Sequence, residues 1–287
     1  MTTDSGSRTL LPDHSEPPHI VSEQSEPAEN ISGGPDGGGA TARFTAGESD
    51  TRAEAVVDRL GELYWQKTYG GQDAFTCLVR TVLSQNTSDK ASQPAHDALL
   101  NRYGGDDLAV ALAAADVDEV ASTIQPAGLY NQKAGVLTQL ATRIVDEYGG
   151  SDGFDSYITD APADQVRETL LGFDGVGPKT ADCMLLFSSG RPGVFPVDTH
   201  VHRIYRRLGI APPDADHEAV REVLEREVPA EKCGFGHTAS IQFGREYCTA
   251  RKPACLDGPE ACPLYDLCER VGVDEVSSEV VDPADTE

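Results

Sequence analysis

One stretch constrains this chain more than any other: Leu170-Leu171-Gly172-Phe173-Asp174-Gly175-Val176-Gly177-Pro178-Lys179-Thr180-Ala181. An apolar-periodic helix running up to Leu171 cannot continue through two glycines that bracket one valine, and Pro178 suits the first position of a new helix. The segment is therefore a helix, a tight turn and a second helix. Gly175 and Gly177 open backbone conformations that side chains forbid, and their small size lets a partner approach the chain closely. The N–H groups at the start of the second helix then face outward, a setting suited to a phosphate.

The remaining pattern is helical. Val56, Val57, Leu60, Leu63 and Tyr64 fall at spacings of three and four and predict a helix over 54–68. Further helices are expected over 73–83, 89–102, 107–113, 116–125 and 129–148, the last stopped by Gly149-Gly150. After the hairpin helices, the second of them expected over 178–189, come 198–209, 216–227 and 234–246. Alternating strand-like runs are absent, so the fold class is all-α. Residues 1–52, rich in Ser, Pro, Gly and acids, and residues 271–287, acidic and poor in large apolar groups, are expected to be disordered tails.

The formal charge of −25 argues at first against a nucleic-acid partner, since phosphate binding rests largely on Lys and Arg. The tails hold much of that acid. The chain also uses only six lysines against seventeen arginines, a balance similar to that of proteins from organisms with molar cytoplasmic salt. At about 1 M salt the Debye length is about 3 Å, and long-range repulsion from DNA nearly vanishes. The first 50 residues carry no basic start followed by an apolar run, and no stretch is apolar enough to span a bilayer, so a cytoplasmic protein is expected.

Of seven cysteines, four form the run Cys248-x6-Cys255-x6-Cys262-x5-Cys268. Four thiolates in so short a segment can satisfy one metal centre, and the lack of Cys-x-x-Cys knuckles fits a zinc ribbon poorly. Cys77, Cys183 and Cys233 are expected to pack as small buried groups. Asp198, in Pro196-Val197-Asp198-Thr199-His200, is a good N-cap for the helix that follows. Lys179, at a helix N-terminus and partly desolvated, is expected to favour its neutral, nucleophilic form. Its alternative role is a solvated lysine that contacts phosphate. Arg203, Arg206 and Arg207 are candidates for phosphate contact or for a solvated face, and His200, His202 and His237 for core or capping roles.

From roughly Glu54 to Cys268 the chain resembles the endonuclease III family of DNA glycosylases. The hairpin residues are similar to its helix-hairpin-helix motif, Lys179 and Asp198 to its catalytic pair, and the cysteine run to its [4Fe–4S] loop, here with four extra residues in the middle gap. Asp174 stands where the family often has proline and puts an acid beside the expected phosphate contact. The resemblance implies two helical domains flanking a DNA-binding cleft: a six-helix domain over 68–190, and an iron–sulfur domain built from 53–67 and 191–270. It further implies a monomer acting on double-stranded DNA that holds a damaged base or an abasic site. Lys179 would attack the sugar C1′ and Asp198 would assist. Gln85 and Leu129 would fill the hole left by the extruded nucleotide, where the alternatives are a capping glutamine and a buried leucine. Gly175 and Gly177 would approach the backbone, and Arg251 and Lys252 sit in the cluster loop. Oxidised pyrimidines are the implied substrates. A monofunctional mismatch glycosylase and a non-catalytic hairpin module that binds DNA are the other readings.

Overall fold

The computed structural model describes residues 48–67 and 70–286, together with the backbone of residues 29–30 and 41–42. Most of the expected N-terminal tail, 1–52, lies outside the described residues. Within it β1 (Glu29–Asn30) and β2 (Thr41–Ala42) are placed.

Helix α1 (Arg52–Leu63) opens on Thr51, whose hydroxyl accepts from Glu54 N and donates to Glu227 O. The helix ends earlier than its periodicity predicts. Tyr64–Lys67 runs as β3, parallel to β1 and antiparallel to β2. Tyr64 is buried and its hydroxyl donates to Glu246, an anchor that an aromatic residue satisfies better in extended backbone than in a continuing helix.

Then follow α2 (Ala74–Ser84), α3 (Asp89–Tyr103), α4 (Leu108–Ala113), α5 (Val117–Thr123), a 3-10 turn Gln125–Ala127, and α6 (Tyr130–Tyr148). A helix absent from the sequence expectation, α7 (Ser151–Asp160), comes next. Asp107 makes it possible. It caps α4 through Ala109 N and Val110 N, and also binds Ser151 N and Ser151 Oγ at the start of α7. The hairpin is α8 (Ala163–Leu171) and α9 (Pro178–Phe187). The chain closes with α10 (Thr199–Arg207), α11 (His217–Glu227) and α12 (Ala230–Glu246), then short 3-10 turns.

These helices enclose two apolar cores. One takes its buried residues from 74–194 and includes Phe75, Leu137, Phe154, Leu170 and Met184; the other joins 53–64 to 195–264 and includes Val57, Phe195, Tyr205, Phe235 and Phe243. The change of core falls between Val194 and Phe195, just after Arg191-Pro192-Gly193. Among the described residues, no helix is long and apolar enough to cross a membrane.

The C-terminal segment departs from the expected disorder. Residues 271–286 form the hairpin β4 (Val273–Asp274) and β5 (Glu279–Val280), followed by a turn at Pro283–Asp285. Composition missed this because the anchors lie elsewhere in the chain: Asp282 pairs with the buried Arg206, and Val271 N donates to Arg207 O.

Candidate active site and cluster-binding region

The hairpin turn is shaped by its backbone. Gly172 closes α8, Phe173 and Val176 turn into the first core, and Gly175 sits at φ +84°, where a Cβ would also meet Val136 Cγ1 at 2.7 Å. Glycine is required there on both counts. Gly177 differs. Its backbone is extended and a Cβ would meet nothing within 4 Å, so no neighbour within this chain demands its small size. Helix α9 has no side-chain cap and carries Pro at its first turn, leaving its leading N–H groups open in the manner that suits an anion. Asp174 is exposed beside them.

Lys179 is half-buried at the second position of α9. Its amine is held above the ordinary lysine range, by Cys183 first and by Asp198, against the pull of desolvation. The expectation of a resting neutral amine is thereby corrected. Burial pushes the Cys183 thiol, one helical turn away, up as well, against the pull of Lys179. Asp198 is the N-cap of α10. Its Oδ1 accepts from His200 N and Val201 N, both at 2.9 Å, while Oδ2 takes no hydrogen bond among the described residues.

Lys179 lies on α9, the last helix of the first core, and Asp198 caps α10 of the second, and a chain of ion pairs ties the two sides. Asp182 on α9, almost wholly buried, accepts from Arg167 Nε at 2.7 Å. Arg167 also reaches Glu218 at 2.9 Å, and Glu218 accepts from Arg221. Arg221 pairs with Glu225, whose Oε1 accepts from Phe195 N three residues before Asp198. Sequence reasoning missed this chain. Its one visible signal is Asp182 itself, a charge inside the otherwise apolar run Ala181–Phe187.

Gln85 joins the hairpin directly: its Nε2 donates to Gly175 O at 3.1 Å and Thr180 Oγ1 at 3.2 Å. Leu129 is not the buried leucine of the alternative reading. It is 57% exposed and left-handed, with φ +47°. The loops holding Gln85 and Leu129 are neighbours, since Thr87 Oγ1 donates to Ala127 O.

The four cysteines of the C-terminal run line one cavity with largely apolar walls, closed by Ile204, Leu208, Phe243 and Leu264 from the second core and by Val273 from the hairpin. The middle gap runs through two 3-10 turns, Ala254–Asp257 and Pro259–Ala261, joined at Gly258 with φ +107°. Burial pushes the Cys262 thiol up to about 11 and that of Cys268 to about 12. Thiolates at these positions need cationic compensation, as bound iron supplies. Among the described residues no three His, Cys, Asp or Glu side chains converge on a single metal position.

Arginines brace this loop. Arg207 donates to Thr249 O and Ala250 O, each at 2.7 Å, and lies 3.6 Å from Cys248 Sγ; Arg203 donates to Cys248 O and Gly244 O; Arg206 is held by Pro213 O and Asp282. None of the three forms the phosphate-facing or solvated row expected from sequence. Arg251 and Lys252 are exposed on the loop's outer side. His237 is buried with Nδ1 unpartnered and its ring pushed down to about 4 by desolvation, hence neutral. Cys77, Cys183 and Cys233 are buried, as expected.

Residues 79–230 match the HhH-GPD superfamily base excision DNA repair protein family, and residues 248–268 match the iron–sulfur binding domain of endonuclease III. Endonuclease III of Bacillus subtilis (strain 168) is 32% identical over 219 residues, covering 75% of this chain and 90% of that protein. A solved structure of a trapped endonuclease III–DNA covalent intermediate, in an estranged-adenine complex, aligns with TM-score 0.59 at 30% identity over 70% of this chain and 86% of that one. A thermostable thymine-DNA glycosylase shares the fold, with TM-score 0.62 at 22% identity over 76% and 96%. The cysteine cavity and the iron–sulfur match agree on a [4Fe–4S] cofactor. With the hairpin, the cysteine quartet and these likenesses together, the chain belongs to the endonuclease III family within the HhH-GPD superfamily of base excision DNA repair proteins.

Proposed function

We propose that this DNA glycosylase is bifunctional: it removes oxidised pyrimidines from duplex DNA and cuts the abasic strand by β-elimination through a Schiff base on Lys179. The observation that supports the reading is that Lys179, at the second position of α9, feels the charge of Asp198, the N-cap of α10. The amine is protonated at rest, so reaction begins with loss of a proton. Oδ2 of Asp198, free of the helix cap, is the acceptor at hand. The lone pair of Lys179 Nζ then forms a bond to C1′, the bond from C1′ to the base breaks, and the base departs with the electron pair and takes up the proton that Asp198 received, which restores the carboxylate. The carboxylate of Asp198 opposes the positive charge that develops on the sugar. Ring opening gives the imine, removal of a C2′ proton expels the 3′ phosphate, and water releases Lys179.

Duplex DNA would lie against the uncapped start of α9, with Gly177 allowing close backbone approach, and against Arg251 and Lys252. Cys248, Cys255, Cys262 and Cys268 would hold the cluster, which orders that loop when bound. The protein would act as a cytoplasmic monomer, and the scarcity of lysine points to work in concentrated salt.

The protonated resting state of Lys179 favours one other reading, a monofunctional glycosylase in which water attacks C1′. Borohydride trapping on a duplex with one abasic site separates the two. In high KCl the natural protein should give a covalent protein–DNA band and Lys179→Ala should give none. Base release from a duplex holding an oxidised pyrimidine, with no trapped band on the abasic one, would establish the monofunctional enzyme.

A further inference from the structure

Lys133, in the first turn of α6, is only 4% exposed, and among the described residues no carboxylate pairs with it. Its Nζ donates to Leu83 O at 2.7 Å, Thr87 Oγ1 at 2.7 Å and Ala127 O at 2.9 Å. An ammonium has three donors, and all three are used. The acceptors come from two separate places. Leu83 O belongs to the last turn of α2, and Ala127 O ends the 3-10 turn before α6, so both present the negative end of a helical segment to the cation. Thr87 stands between them, accepting from Lys133 and donating to Ala127 O.

The two loops joined this way carry Gln85 and Leu129. Each holds a non-glycine residue in the left-handed region, Asn86 at φ +52° and Leu129 at φ +47°, the latter preceded by Gly128 at φ +62°. Such conformations persist only where surroundings impose them. Leu129 has no such support from its own side chain, which is mostly exposed. The backbone carbonyls on either side of the pair are instead gathered on one buried charge. A planar guanidinium cannot aim three donors at a point in this way.

We propose that Lys133 is a positioning residue for duplex opening: its ammonium staples the loop of Gln85 to the loop of Leu129, so that both side chains stand ready to enter the space an extruded nucleotide leaves. The role rests on the reading above that Gln85 and Leu129 fill that space. Lys133 touches no reacting atom in this scheme. Its removal therefore affects opening and leaves the chemistry at Lys179 intact.

The test uses the full-length, cluster-loaded protein. Opening is read from 2-aminopurine fluorescence opposite or beside a stable abasic-site analogue in a duplex, and chemistry from borohydride trapping on an abasic site in a single strand, which needs no opening. Lys133→Met should weaken opening about tenfold, the worth of one well-made contact, with single-strand trapping unchanged. Adding Leu129→Ala to Lys133→Met should cost little beyond either change alone, because both remove the same ordered wedge. Lys133→Arg should resemble Lys133→Met, whereas a need for charge alone would make it behave as the natural protein. If Lys133→Met fails to fold, Thr87→Val removes one acceptor of the same staple and leaves the ammonium on its other two, and about threefold weaker opening is expected. Parallel loss in duplex and single strand, or unchanged opening in the folded variants, would overturn the proposal. Unchanged opening in Leu129→Ala and Gln85→Ala would instead sink the wedge reading on which it stands.

Discussion

The two cores are closed in different ways. The first, over 74–194, is completed by its own side chains: Phe75, Leu137, Phe154 and Leu170 are fully buried, and its helices share caps such as Asp107. The second, over 53–64 and 195–264, ends at the cavity lined by four cysteines, with the Arg207 guanidinium beside it and its Nε unpartnered. One half can reach its fold on the hydrophobic effect and capping alone. The other ends on four cysteines and the loop that carries them, where a bound cluster would add to its stability. Stability in this molecule is thus unevenly conditional, and the conditional half supplies Asp198.

Cluster removal is the strongest way to expose that difference. Cys262→Ser, or chelation of the iron, should abolish the visible charge-transfer absorbance and strip amide-exchange protection from α10 and α12, while α2, α6 and α9 keep theirs. The effect should exceed that of any other change considered, because binding energy at such a site is folding energy. Simultaneous loss of protection in both halves would show that they fold as one unit and break the comparison.

The next effect concerns what joins the halves. Arg167→Met leaves Asp182, 2% exposed, without its partner, and removing one member of a buried pair costs about 3–5 kcal/mol. The loss should appear in thermal unfolding and persist in high KCl, since buried charges are screened little. The exposed pair Arg102–Glu119 offers the contrast: Arg102→Ala should cost about 0.5 kcal/mol and become neutral in salt. If Arg167→Met is equally mild, the ion chain does not hold Lys179 and Asp198 in register.

The same contrast governs what was legible in the sequence. In the first half, Gly175-Val176-Gly177-Pro178 specifies its hairpin locally, because positive φ, a missing N–H and helical periodicity act within a few residues of their cause. The helix α7 was not legible, since Asp107 caps it from 44 residues away. In the second half, cysteine spacing announces a metal centre, yet the inward-facing Arg203, Arg206 and Arg207 look on sequence like a surface row. Their acceptors are carbonyls and a carboxylate distant in the chain, and carbonyl acceptors leave no mark in composition. The state of Lys179 was misjudged for a related reason: a helix N-terminus is visible in sequence, whereas the neighbours Cys183 and Asp198 act through space.

The C-terminal hairpin sharpens the comparison at its weakest point. Val273 helps close the cysteine cavity, and the hairpin is held to the second core partly by Asp282 on Arg206. The hydrogen bond from Arg206 holds the Asp282 carboxyl below the ordinary range. Its contribution is therefore full above the unfolded pKa of about 3.9 and is lost as pH falls through the lower folded value. Because Asp282 is half exposed, about 0.5–1 kcal/mol is at stake. Asp282→Asn should remove that amount and speed exchange of the Val281 N–H, which donates to Gly272 O, at neutral pH. Below the folded pKa the variant and the natural protein should exchange alike, because the side chain at 282 is then uncharged in both. No difference at neutral pH would assign the hairpin's attachment to the apolar contact of Val273, making the tail part of the cavity wall and independent of charge.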